Sequence, residues 1–173
     1  MKPTKVINLF AYAIPAATSG YLLPQFVVNS GGAIPISPLN IIITLPLIGI
    51  LLVLFAIPIF KYRRAMLARA KDSKKPRPAP LNPFYAVRVL LLSKAIAISG
   101  AIFVGWHAGV LWLQLSSPVI PTSTVQNALA LIGSVVMTVC AVVVERVCRV
   151  TDDGSGAGLA NGNKGAAATG EPA

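Results

Sequence analysis

The sequence is short of nearly everything from which a soluble surface or a metal centre is made. Charged residues occupy 12% of its 173 positions, about half of the quarter that a soluble domain uses to keep its surface wet, and that class is excluded. Cysteine and histidine are scarcer still. Cys140 and Cys148 stand about 12 Å apart along one helix, beyond disulfide reach. No further Cys or His lies at ligand spacing, so no metal and no cofactor is implied. A hydrolytic nucleophile needs a base beside a Ser or Cys. His107, the single histidine, has no acidic neighbour in sequence; packing or hydrogen bonding to a neighbouring helix is its expected role, with proton sensing as the rival. An enzyme is therefore not expected.

What is present is apolar surface, 55% of the residues and a mean hydropathy of +0.73. No Asp, Glu, Lys or Arg occurs from Val6 through Phe60 or from Ala95 through Val144. Uncharged tracts of that length belong in lipid. Turn signals split them into four spans, near residues 6–28, 39–60, 86–115 and 124–148, each long enough to cross about 30 Å of hydrocarbon. Strands are disfavoured, because a membrane barrel alternates polarity in segments of about ten residues. The expected fold is all-α: an integral membrane four-helix bundle over residues 1–150, followed by a disordered tail over 151–173, where Gly, Ala, Asn and Asp dominate. Helix ends carry their own chemistry. Ser37-Pro38 and Asn82-Pro83 each place a capping side chain before a proline, Ser123 to Gln126 fits a capping box, and Asn29-Ser30-Gly31-Gly32 ends the first span in a turn.

Orientation follows from basic residues, which accumulate on the side that is never translocated. Lys61, Arg63, Arg64, Arg69, Lys71, Lys74, Lys75 and Arg77 face a single acid, Asp72, in the middle connection 61–82, whereas connections 29–38 and 116–123 carry no charge. The middle loop is expected in the cytoplasm with both termini, in a bacterial plasma membrane. Its partner would be the anionic inner leaflet, each base contributing on the order of 1 kcal/mol; docking to an acidic protein is the alternative. Without interleaved aromatics, nucleic acid is not an expected partner. A rival reading takes the first span as a cleaved secretory signal, with Ala16-Ala17-Thr18-Ser19 as the small-residue site, but its apolar run is longer than a signal core.

Two groups stand out inside the spans. Arg88, Lys94 and Glu145 form a charge cluster at the membrane boundary. Lys94 can snorkel toward the cytoplasm or pair with Glu145, which leans into the bilayer from the antiparallel fourth span; a proton or substrate role is a third reading. Ser93, Ala97, Ala101, Gly105 and Gly109 recur every fourth residue, leaving one stripe of the third span without large side chains, so that another backbone can approach. The fourth span, with Ala130, Ser134 and Thr138, is the expected partner. Pro15, Pro24, Pro46 and Pro58 each remove a helical hydrogen bond; kinks without a site are the expectation.

The second half resembles an uncharacterised actinobacterial four-span membrane protein family, catalogued as domain of unknown function 3180. The likeness lies in Asn82-Pro83-Phe84-Tyr85-Ala86-Val87-Arg88-Val89-Leu90-Leu91-Leu92-Ser93-Lys94-Ala95, in Gly105-Trp106-His107-Ala108-Gly109, and in Glu145-Arg146-Val147-Cys148-Arg149 with Asp152-Asp153 beyond. The family pattern opens with Asp where this chain has Asn82 and favours an aromatic at position 107. The resemblance implies a small integral membrane protein, often encoded beside pterin and folate biosynthesis genes, with no assigned reaction. The functional expectation is a non-catalytic scaffold or accessory subunit, associated with a membrane-protein partner or with copies of itself. The alternative is a small oligomeric transporter or channel.

Overall fold

The computed structural model describes residues 6–33, 35–71, 82–118 and 120–160. Four helices fill them: α1 (Val6–Asn29), α2 (Leu39–Lys71), α3 (Pro83–Leu115) and α4 (Thr124–Ala160). All four contain a stretch long and apolar enough to cross a membrane. Their outer surface is inverted relative to a soluble bundle. Ile7, Phe26 and Phe84 are each more than 70% exposed, a costly arrangement in water that costs nothing against lipid tails.

Two boundaries differ from expectation. The basic stretch from Lys61 is not a loop at its start, because α2 carries Lys61, Arg63, Arg64, Arg69 and Lys71 as helix. Lys, Arg, Ala, Met and Leu are strong helix formers, and extending an existing helix needs no new nucleus. Cations in its last turn also complement the helix dipole. Lys74, Lys75 and Arg77 lie outside the described residues. At the other boundary α4 continues past the expected start of the tail at Thr151 to Ala160; residues 161–173 lie outside the description.

Helix order in space is not helix order in sequence. The α3–α4 hairpin forms the middle, α1 packs on α3, and α2 packs on α4 with a slight further touch on α3. Gly100 of α3 lies against Thr138, and Gln114 reaches Ser123, so the central pair is antiparallel. By the same reading α1 runs parallel to α3, and α2 parallel to α4. The first two helices thus flank the hairpin, and the connection 30–38 must cross its end. At most ten extended steps of about 3.5 Å reach roughly 35 Å, against three helix spacings of about 8–10 Å. That strap is long enough, with little slack.

Glycine sets the approach at each interface. A Cβ on Gly105 would enter the Ala13 carbonyl, and one on Gly109 the Ala17 carbonyl; Gly20 of α1 meets the Trp106 backbone reciprocally. Gly49 lies against Met137 and Gly133 against Pro46, joining α2 to α4. All five residues of the small-side-chain stripe are buried. Its glycine half faces α1, however, and not α4 as expected. A four-residue period drifts around a 3.6-residue helix, so a single stripe sweeps from one neighbour to the next. Between the helices, Leu52, Ala56, Ile59, Ala97, Ala141 and Val144 form a closed core.

Candidate functional site

Polar side chains in these helices resolve into three groups. Along the helices, hydroxyls return to their own backbone: Ser93 donates to the Leu90 carbonyl (2.8 Å), Ser134 to Leu131 (2.7 Å) and Thr138 to Ser134 (2.8 Å). Such bonds satisfy the hydroxyl locally and demand no partner.

The second group lies under the strap. Asn127, 1% exposed in the first turns of α4, accepts at Oδ1 from the Ser37 amide (3.1 Å) and from the Ser37 hydroxyl, and its Nδ2 donates to the Pro35 carbonyl (3.4 Å). These bonds fix the direction of each dipole. An amide N–H can only donate, so Oδ1 must face Ser37. The Ser37 proton is then committed to Asn127. The long contact between Ser37 Oγ and His107 Nδ1 (3.4 Å) is then a hydrogen bond in the tautomer whose Nδ1 donates, which leaves the lone pair on Nε2. His107 is 3% exposed, it stacks on Phe103 with centroids 6.3 Å apart, and its Nε2 has no hydrogen-bond partner. Pro35, Ser37, Phe103, Trp106, His107 and Asn127 help line a cavity of about 120 Å³. About two turns nearer the hairpin tip, buried Gln114 donates to Ser123 Oγ (3.2 Å).

Two expectations change here. Ser37 does not cap α2: the Pro38 carbonyl receives the first helical N–H groups, from Ile41 and Ile42, and the Ser37 hydroxyl is drawn to Asn127. Ser123 holds the cap position of α4, with its carbonyl accepting from the Asn127 N–H (3.1 Å), but its hydroxyl turns to Gln114. Both shifts have one cause. A buried amide away from water costs more without a partner than a helix end that water reaches. His107 is buried and packed, as expected, and its polar contact goes to the strap. Two other end signals stand as read. Asn82 accepts from the Phe84 N–H (3.0 Å). Gly31, at φ 81°, closes α1 with Gly32 donating to Val27 (2.9 Å) and Gly31 to Val28 (3.0 Å), the paired bonds of a Schellman ending.

The third group is charged and lies at the opposite end. Glu145 is 5% exposed, Lys94 is half-buried and Arg88 is exposed. Lys94 and Glu145 each make a polar or electrostatic interaction. Six residues before Gly100 along α3, and seven beyond Thr138 along α4, the antiparallel register brings both to one level. Cys148, one turn from Glu145, is buried, and both cysteines are free. The Tyr85 hydroxyl donates to the Phe55 carbonyl of α2 (2.6 Å), a crosslink between α3 and α2. Among the described residues, no three His, Cys, Asp or Glu are grouped to hold a metal.

Four apolar helices with these buried contacts define a multi-pass membrane protein. The chain belongs to the family described as protein of unknown function DUF3180, whose pattern matches residues 9–152. No curated protein and no solved structure matches it. The signals for Asn127, Gln114 and Ser37 were present as lone polar residues in charge-free tracts, yet nothing in their spacing says that they meet.

Proposed function

We propose that this protein is a non-catalytic membrane scaffold or accessory subunit of a larger membrane complex. The observation that carries this reading is the placement of its polar groups. Hydroxyls along the helices return to their own backbone, and the side-chain bonds between elements lie toward the two ends, around Asn127 and Gln114 at one and from Tyr85 to Phe55 at the other, so polarity does not line a route through the bilayer. The row order α1, α3, α4, α2 also offers two outer apolar faces to neighbours. In this reading the basic extension of α2 lies on the cytoplasmic side, against the anionic inner leaflet of a bacterial plasma membrane, with both termini on that side. Lys94 and Glu145 form an ion pair at the boundary, with Arg88 nearer the water.

The alternative is a small oligomeric transporter, favoured by the cavity at His107. Affinity purification from native membranes in mild detergent separates the two. A reproducible stoichiometric partner supports the scaffold; a lone homo-oligomer that passes solute after reconstitution supports transport and ends the scaffold reading. Cysteine labelling at Lys71 from outside intact cells would overturn the orientation.

A further inference from the structure

We propose that the cavity at His107 and the adjoining groove between α1 and α3 form one site for an uncharged amphiphile, with a hydroxyl or N–H donor at its head and a single apolar tail. The head chemistry follows from the hydrogen-bond chain. With the Ser37 proton committed to Asn127, the His107 tautomer that donates through Nδ1 offers at Nε2 a buried lone pair that a ligand's donor would satisfy. The head must be neutral, because no charged residue lines the cavity and an unpaired charge is expensive there.

The tail follows from geometry. A groove of about 480 Å³ is lined by Tyr12, Pro15, Ala16, Ile102, Phe103 and Trp106, among others, a volume typical of ligand sites. It shares Phe103 and Trp106 with the His107 cavity. Phe103 is 39% exposed, so this shared wall stands at the lipid surface. The groove extends to both sides of His107 along the α1–α3 seam, from Tyr12 and Ile102 farther from the strap to Ser19 nearer it; a tail that leaves His107 past Tyr12 and Ile102 runs toward the middle of the bilayer, the orientation of a lipid in the leaflet on the strap side. His107 lies about 12 Å from the end of α3, a depth at which an alcohol is tolerated and a phosphate is not.

The probe is octadecanol brominated at carbons 6 and 7, which quenches tryptophan on contact, compared with its methyl ether, which lacks the donor. The full chain carrying Trp112→Phe retains Trp106 as its only tryptophan and is reconstituted in phosphatidylcholine vesicles. Quenching by the alcohol is expected to saturate, with half-effect at about five-fold lower mole fraction than the ether, the ratio of one net hydrogen bond. Adding His107→Phe should erase that ratio and leave the ether curve in place. Equal curves for alcohol and ether, or quenching linear in mole fraction, overturn the proposal; the first comparison needs no change at His107 and stands even if the His107 variant fails to fold. A ratio that survives His107→Phe overturns it equally.

Discussion

The two ends of this bundle solve the same problem with different chemistry. At the strap end, helices and connection are joined by neutral groups: Ser37, Asn127, His107, Gln114 and Ser123, buried and mutually bonded. At the other end stand Arg88, Lys94, Glu145 and the basic turns of α2. Neutral dipoles can be buried when every donor finds an acceptor. Full charges need water within reach or a partner. One end is thus held by directional bonds between neutral groups, whereas the other sets the Tyr85–Phe55 bond beside full charges, whose attractions would be longer-ranged and less directional. Salt screens the second and leaves the first nearly untouched.

The comparison can be broken at the seam common to both ends. Gly105→Leu would drive a side chain into the Ala13 carbonyl; separating α1 from α3 should cost about 3 kcal/mol or more, read by unfolding in mixed micelles, and should be independent of salt. Asn127→Leu strands the Ser37 amide and hydroxyl and should cost about 2 kcal/mol, with the same value at about 0.05 and about 1 M salt. A marked salt dependence there would refute the division between the ends. Lys94→Glu and Glu145→Lys should each cost about 1–2 kcal/mol, less in high salt, and the double exchange should recover most of it; a double variant no better than either single one sinks the ion pair. Gln114→Leu should matter least. Its Oε1 is buried without a hydrogen bond, so removing a half-satisfied amide should change stability by less than about 1 kcal/mol.

The comparison also shows why parts of the site were legible and others were not. Asn82 and the Gly31-Gly32 ending depend on neighbours within four residues, and those neighbours are adjacent in the string. Lys94 and Glu145 were visible because a charge in an apolar tract is conspicuous alone. The Ser37, His107 and Asn127 constellation spans ninety positions, and each member has an ordinary local explanation: a cap, a packed ring, a first-turn amide. The stripe from Ser93 to Gly109 announced close approach but not to whom, since small side chains fit any backbone.

Hydropathy, charge placement and end signals determined four membrane-spanning helices and most of their boundaries, because burial in lipid and capping act on single residues and short segments. Which helices touch was decided only in three dimensions. Placing α1 and α2 on opposite flanks of the α3–α4 hairpin depends on whether backbones fit at Gly20, Gly105, Gly49 and Gly133. That fit pulls the strap over Asn127 and turns a solitary histidine into an acceptor in search of a donor, because hydrogen-bond direction is a property of the assembled neighbours.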